Sequence, residues 1–157
     1  MKDSNLALRA AGLGAIAGLR SMAAPAALSR AAAAGRVGGL RDTPFAVLGS
    51  SKVSALLTVF EVGELVGDKL PMTPSRTSLP PLLGRAASGA VVGGALFTSE
   101  RHRTVPGAAF GAAAAVTAAY AGEQLRALVS EKTGLPDPVV ALAEDTVVLV
   151  GAWRLLR

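Results

Sequence analysis

Long apolar stretches alternate with short polar or proline-rich breaks along the chain, and five of the stretches read as helices. The first covers residues 5–34. Arg20 lies in its middle, Pro25 removes a backbone hydrogen bond, and Gly12, Gly14 and Gly18 lie on the preceding turns, so a kinked or broken helix is expected. A Gly/Arg-rich loop follows at 35–42, and Thr43-Pro44 reads as a helix start, with Thr as cap and Pro in the first turn. The second helix is placed at 53–70; its first part is apolar, and its second carries Glu61, Glu64, Asp68 and Lys69. The connection 71–81 holds too many prolines for a regular helix. A third helix at 82–99 offers Gly89, Gly93 and Gly94 for close packing, and the turn Glu100-Arg101-His102-Arg103 separates it from a fourth at 105–128. The fifth runs over 138–156 and ends on Trp153, Arg154 and Arg157, a combination suited to a membrane–water interface.

Composition turns this pattern into a fold class. The 157 residues are 51% hydrophobic but only 4% aromatic and 17% charged, with Ala and 18 Gly in place of bulky core residues. Small residues on that scale suit helices that approach closely in lipid, where bulk brings no hydrophobic reward. The expectation is a single-domain, all-α integral membrane protein of about five transmembrane helices, with the lipid bilayer as its surroundings. Residues 104–122 carry no charge and form the clearest span. An Ala-rich span is nevertheless marginal, because Ala is nearly neutral for insertion.

Several function classes recede. The net charge of +5 comes from basic residues scattered between apolar segments, without an aromatic-studded basic face, so no nucleic-acid partner is expected. There is no cysteine, His102 is the single histidine, and no nucleophile elbow or phosphate-binding loop is present. Neither a metal site nor a cofactor nor catalytic residues are expected. Membrane-embedded acids holding a divalent metal for lipid chemistry stay conceivable, but the paired acidic motif for it is missing. The first nine residues are too short and polar for a cleavable signal, and no lipidation motif stands out. With five spans, lysines and arginines balance on the two sides, so the loop charges give no orientation.

Charges within the helices carry the candidate chemistry. Glu61, Glu64 and Asp68, at i, i+3 and i+7, share one face of the second helix; Glu144 and Asp145 lie inside the fifth, and Arg20 is central in the first. The five acids stand against Arg20, with Lys69 and Arg76 near one end; these partners cannot pair them all, which favours protonated, hydrated or cation-bound carboxylates. Arg20, Glu61, Glu64, Asp68, Glu144 and Asp145 are therefore the expected ion- or solute-binding set of a small transporter or channel. Such a small bundle encloses little volume, so a homo-oligomer is expected. The competing reading is a membrane scaffold or assembly module whose buried charges clamp helices together. Lys69, Ser75 and Arg76, in the most distinctive string of the chain, form a candidate anion site, against which stands a rigid loop meeting lipid headgroups.

An internal repeat is also suggested. Residues 25–34 align with 106–115, and the same offset sets Glu64 opposite Asp145, so that helices 1–2 and 4–5 would be inverted copies around helix 3. Runs of Ala align by chance, however, and the loops do not match.

Finally, Gly18-Leu-Arg-Ser-Met-Ala-Ala-Pro25, the Glu64 and Asp68-Lys-Leu-Pro71 string and Pro74-Ser-Arg76 resemble a bacterial membrane-protein family known as domain of unknown function 4126. The resemblance runs from about residue 13 to 153. It implies a small multi-span protein of the bacterial inner membrane and carries no established activity.

Overall fold

A computed structural model describes the backbone at residues 2–67, 75–134 and 136–157, and the side chains there except at 2–4, 137 and 138. Six α-helices and one 3-10 turn make up its regular structure: α1 (Lys2–Leu19), α2 (Ala23–Ala33), the 3-10 turn Ala46–Gly49, α3 (Ser51–Gly67), α4 (Leu79–Ser99), α5 (Thr104–Thr133) and α6 (Asp137–Leu155). No strand occurs among the described residues.

The expected first helix is two helices. Pro25 has no N–H to give the carbonyl of Ser21, and its ring crowds that carbonyl, so the chain leaves the helix at residues 20–22, one turn before the proline. Rather than continuing beyond a kink, α2 folds back. Arg9 and Arg36 line the same cleft beside the C-terminal end of α4, whereas Gly18 and Leu19 contact Arg85 near its N-terminal end. The two helices thus form a hairpin. Its open end lies with the C-termini of α4 and α6, and its tip is residues 20–22.

Three helices make the tight centre. α5 runs parallel to α1 and antiparallel to α4, and all three meet through glycines: a Cβ on Gly111 would lie inside the contact distance of the Gly89 carbonyl oxygen, and one on Gly14 would strike Gly111. Such contact needs backbones without side chains between them. α6 lies antiparallel to α1, with Gly12 at Leu155, Ile16 near Gly151 and Arg20 at Asp145. α3 lies antiparallel to α2, with Thr58 and Glu61 at Arg30 and Glu64 at residues 21–22.

Helix ends differ from expectation for local reasons. α4 starts at Leu79, because Pro80 and Pro81 fall in its first turn, where no N–H has a partner within the helix. α5 continues to Thr133 and stops where Gly134 turns left-handed (φ 65°) and returns its N–H to the Ser130 carbonyl. Thr43 does not cap a helix; its hydroxyl accepts from the Phe45 N–H within a turn that leads into the 3-10 segment.

Charge enters a core that is otherwise apolar, and large apolar side chains also lie on the surface. Arg20 is 2% exposed and Glu61, Arg85 and Asp145 are also buried, while Phe60, Val62 and Val66 of α3, Val105 and Phe110 of α5, and Val147 and Leu149 of α6 lie outside. Among the described residues one helix, α5, is long and apolar enough to cross a membrane, and only 22% of its most apolar window is buried.

Candidate functional site

The hairpin tip ends two helices at one place, and each end needs a partner of opposite sign. The last carbonyls of α1 carry partial negative charge and the first amides of α2 partial positive charge. Arg85 Nη1 donates to the carbonyls of Gly18 (2.9 Å) and Leu19 (2.7 Å). On the other side, the backbone N–H groups of Ser21 and Met22 each donate at 2.8 Å to the two carboxylate oxygens of Glu64, and the Ser21 hydroxyl adds a third bond at 2.9 Å. Glu64 and Arg85 approach each other at 3.7 Å. One carboxylate and one guanidinium therefore clasp the reversal.

A second pair holds the tip to α6. Arg20 Nε donates to Asp145 Oδ1 at 2.7 Å, and Nη2 lies 2.5 Å from the same oxygen, with both residues buried. Glu61, three residues before Glu64 on the same face of α3, binds Arg30 of α2 at 2.6 Å, and the same nitrogen meets the Thr58 hydroxyl at 3.0 Å. Arg20, Glu61, Glu64 and Asp145 line one space of about 10 Å³, closed by Ala23, Leu65, Val148 and Leu149. That holds one water at most.

The expected imbalance of charge is corrected by these contacts. Glu61, Glu64, Glu144 and Asp145 are matched by Arg30, Arg85, Arg76 and Arg20 in turn. Arg20, Glu61, Glu64 and Asp145 converge, whereas Glu144 stands apart with Arg76 (2.5 and 3.3 Å) and with Arg126 at 4.0 Å. The expected anion site is filled by the protein itself: Arg76 is spent on Glu144, and the Ser75 hydroxyl donates to Glu123 at 2.6 Å. Asp68 and Lys69 lie outside the described residues. No group of three or more His, Asp or Glu that could hold a metal ion occurs among the described residues.

Sequence reasoning missed Arg30 and Arg85 as partners of the acids, and the two tip amides. A signal for Arg30 was present, since it interrupts an otherwise uncharged Ala run after Pro25. The amides carry no mark in the sequence beyond the proline that frees them.

Fold and site together define a class: a small helical bundle with a few buried ion pairs, built around a reversed and charge-clasped first helix. Residues 7–157 match the family described as Domain of unknown function (DUF4126), and the chain belongs to it. No curated protein and no solved structure matches the chain.

Proposed function

We propose that this is an integral membrane protein that passes an ion or small solute along the charged tip of the α1–α2 hairpin, and that the structure is its closed state. The observation that carries the reading is charge buried within the bundle, the Arg20–Asp145, Arg85–Glu64 and Arg76–Glu144 pairs, beside valine, leucine and phenylalanine side chains exposed on its surface. Buried ion pairs are costly and add little net stability, so a bundle that keeps Arg20–Asp145 and Arg85–Glu64 buried at a broken helix has a use for charge there. Half-helices whose ends meet charged groups inside a bundle are the way membrane transporters build their sites.

Depth supports the same reading. Between Arg9 and Arg20, α1 descends about 17 Å, roughly half of a ~30 Å hydrocarbon layer. With α1–α2 as a re-entrant hairpin and α3 to α6 as the proposed crossings, the basic residues fall unevenly at the two ends. Arg9 then joins Arg36, Arg41, Lys52, Arg101, Arg103, Arg154 and Arg157 at one end of the bundle, against Arg76, Arg126 and Lys132 at the other. The first end faces the cytoplasm by the positive-inside rule, which fits a cytoplasmic membrane. The repeat is reduced to a shared register: Pro25 and Pro106 are each the third residue of their helix, and Glu64 and Asp145 both reach the tip. Packing differs, because α5 lies along α1 and α4 while α2 lies mainly against α3.

The test is flux into vesicles holding the purified protein, with proton, sodium and chloride offered in turn under an imposed potential. At least one should exceed the leak of protein-free vesicles, and Glu64→Gln and Asp145→Asn should each remove most of it. Absence of flux for all three, or flux indifferent to both substitutions, overturns the assignment. Complete pairing within about 10 Å³ favours a second reading, a membrane assembly module in which the pairs are clamps.

A further inference from the structure

The basic end of the bundle holds a cleft of about 340 Å³, away from the tip, between the loop at 36–39 and the turn joining α4 to α5. Arg9, Arg36 and Arg101 line it against one carboxylate, Glu100. Arg9 is steadied by a bond from its Nε to the Leu155 carbonyl at 3.0 Å. Arg36 and Arg101 have no ion-pair partner among the described residues, and the backbone N–H groups of Gly38 and Gly39, also in the lining, have no protein acceptor there. The loop is seated firmly: a Cβ on Gly39 (φ 74°) would strike the Ser99 carbonyl oxygen at the end of α4.

Arg101 is the unexpected residue. The Arg101 N–H bonds to the Thr98 carbonyl at 3.0 Å and the His102 N–H to the Phe97 carbonyl at 2.9 Å, the bonding of a helix end whose left-handed residue is ordinarily glycine. Arginine holds that place at φ 62°, among described residues where every other positive φ belongs to glycine. A side chain is disfavoured there, so a guanidinium at the mouth of the cleft is kept against the preference of the backbone.

We infer that the cleft binds a phosphate group, carried by a phospholipid headgroup or by a soluble phosphate ester. Planar guanidinium groups and loop amides are the donors that recognise phosphate oxygens, and three arginines against one glutamate leave the site electropositive. The site is independent of the transport reading, since none of its residues touches the tip.

The experiment is thermal unfolding of the full chain in uncharged detergent, followed by circular dichroism, with inorganic phosphate or short-chain phosphatidylglycerol added and sodium chloride at matched ionic strength as control. Phosphatidylglycerol should raise the melting midpoint saturably while chloride does not. A matching rise with inorganic phosphate assigns a soluble ester, and a rise with the lipid alone assigns a headgroup. Arg101→Gly relieves the backbone, so this variant should melt no lower than the parent without ligand, yet need about tenfold more probe for half-saturation. Arg36→Gln should weaken binding similarly. No shift with either probe, an equal shift with chloride, or both variants saturating at the parent's concentration overturns the inference.

Discussion

Arg20 and Asp145 show how a single buried pair is both a burden and a constraint. Each charge gives up its hydration, and their attraction offsets that loss only because they face each other at 2.5 to 2.7 Å. Arg20→Met should therefore destabilise the protein by about 3–5 kcal/mol, because Asp145 stays buried without its partner. Arg20→Met combined with Asp145→Leu should recover that loss, read as unfolding midpoints in detergent. The double variant also separates the two functional readings: a clamp is replaced by packing and function persists, whereas a pathway loses its charge and its flux. At this scale the sequence was half legible. Glu61, Glu64, Asp145 and Arg20 could be named from their places within apolar helices, but Arg30 and Arg85, the partners of Glu61 and Glu64, come from α2 and α4, and pairing across a bundle leaves no trace in a linear pattern. Counting acids against the one arginine at a helix centre therefore suggested an excess that Arg30, Arg76 and Arg85 remove.

Among the helices, small residues decide the packing. Gly111 faces Gly89 and Gly93 on α4 and Gly14 on α1, so any side chain there must push backbone away. Gly111→Ala should cost about 1–3 kcal/mol by overpacking, whereas Gly63→Ala, which meets open space on the outer side of α3, should stabilise by about 0.5–1 kcal/mol. Both are measured as shifts in the unfolding midpoint, and equal effects at the two positions would contradict the packing described. Helix existence was legible here: α3 to α6 lie within a few residues of the apolar stretches that announce them. The reversal between α1 and α2 was not. Pro25 announces a break, but the direction taken after it is set by Glu64, Arg85 and Asp145, which lie far along the chain.

The whole molecule is described by where its polarity lies. A few arginines and carboxylates pair inside an apolar core, glycines bring helices together, and a further set of large apolar side chains points outward. Composition pointed the same way, because Ala and Gly on this scale suit close helix packing, and exposed bulky residues need a cover. The lack of cysteine makes the arrangement directly measurable, since a single introduced cysteine is the sole attachment point for a probe. Nitroxide labels at Phe60→Cys, Phe110→Cys and Val147→Cys, in protein held in lipid vesicles, report collision with oxygen, which concentrates in lipid, and with a water-soluble nickel chelate. Dominant oxygen collision at all three positions is the outcome expected of a bundle that turns its apolar side chains to lipid and keeps its charges within. Equal or dominant collision with nickel at these positions would contradict it.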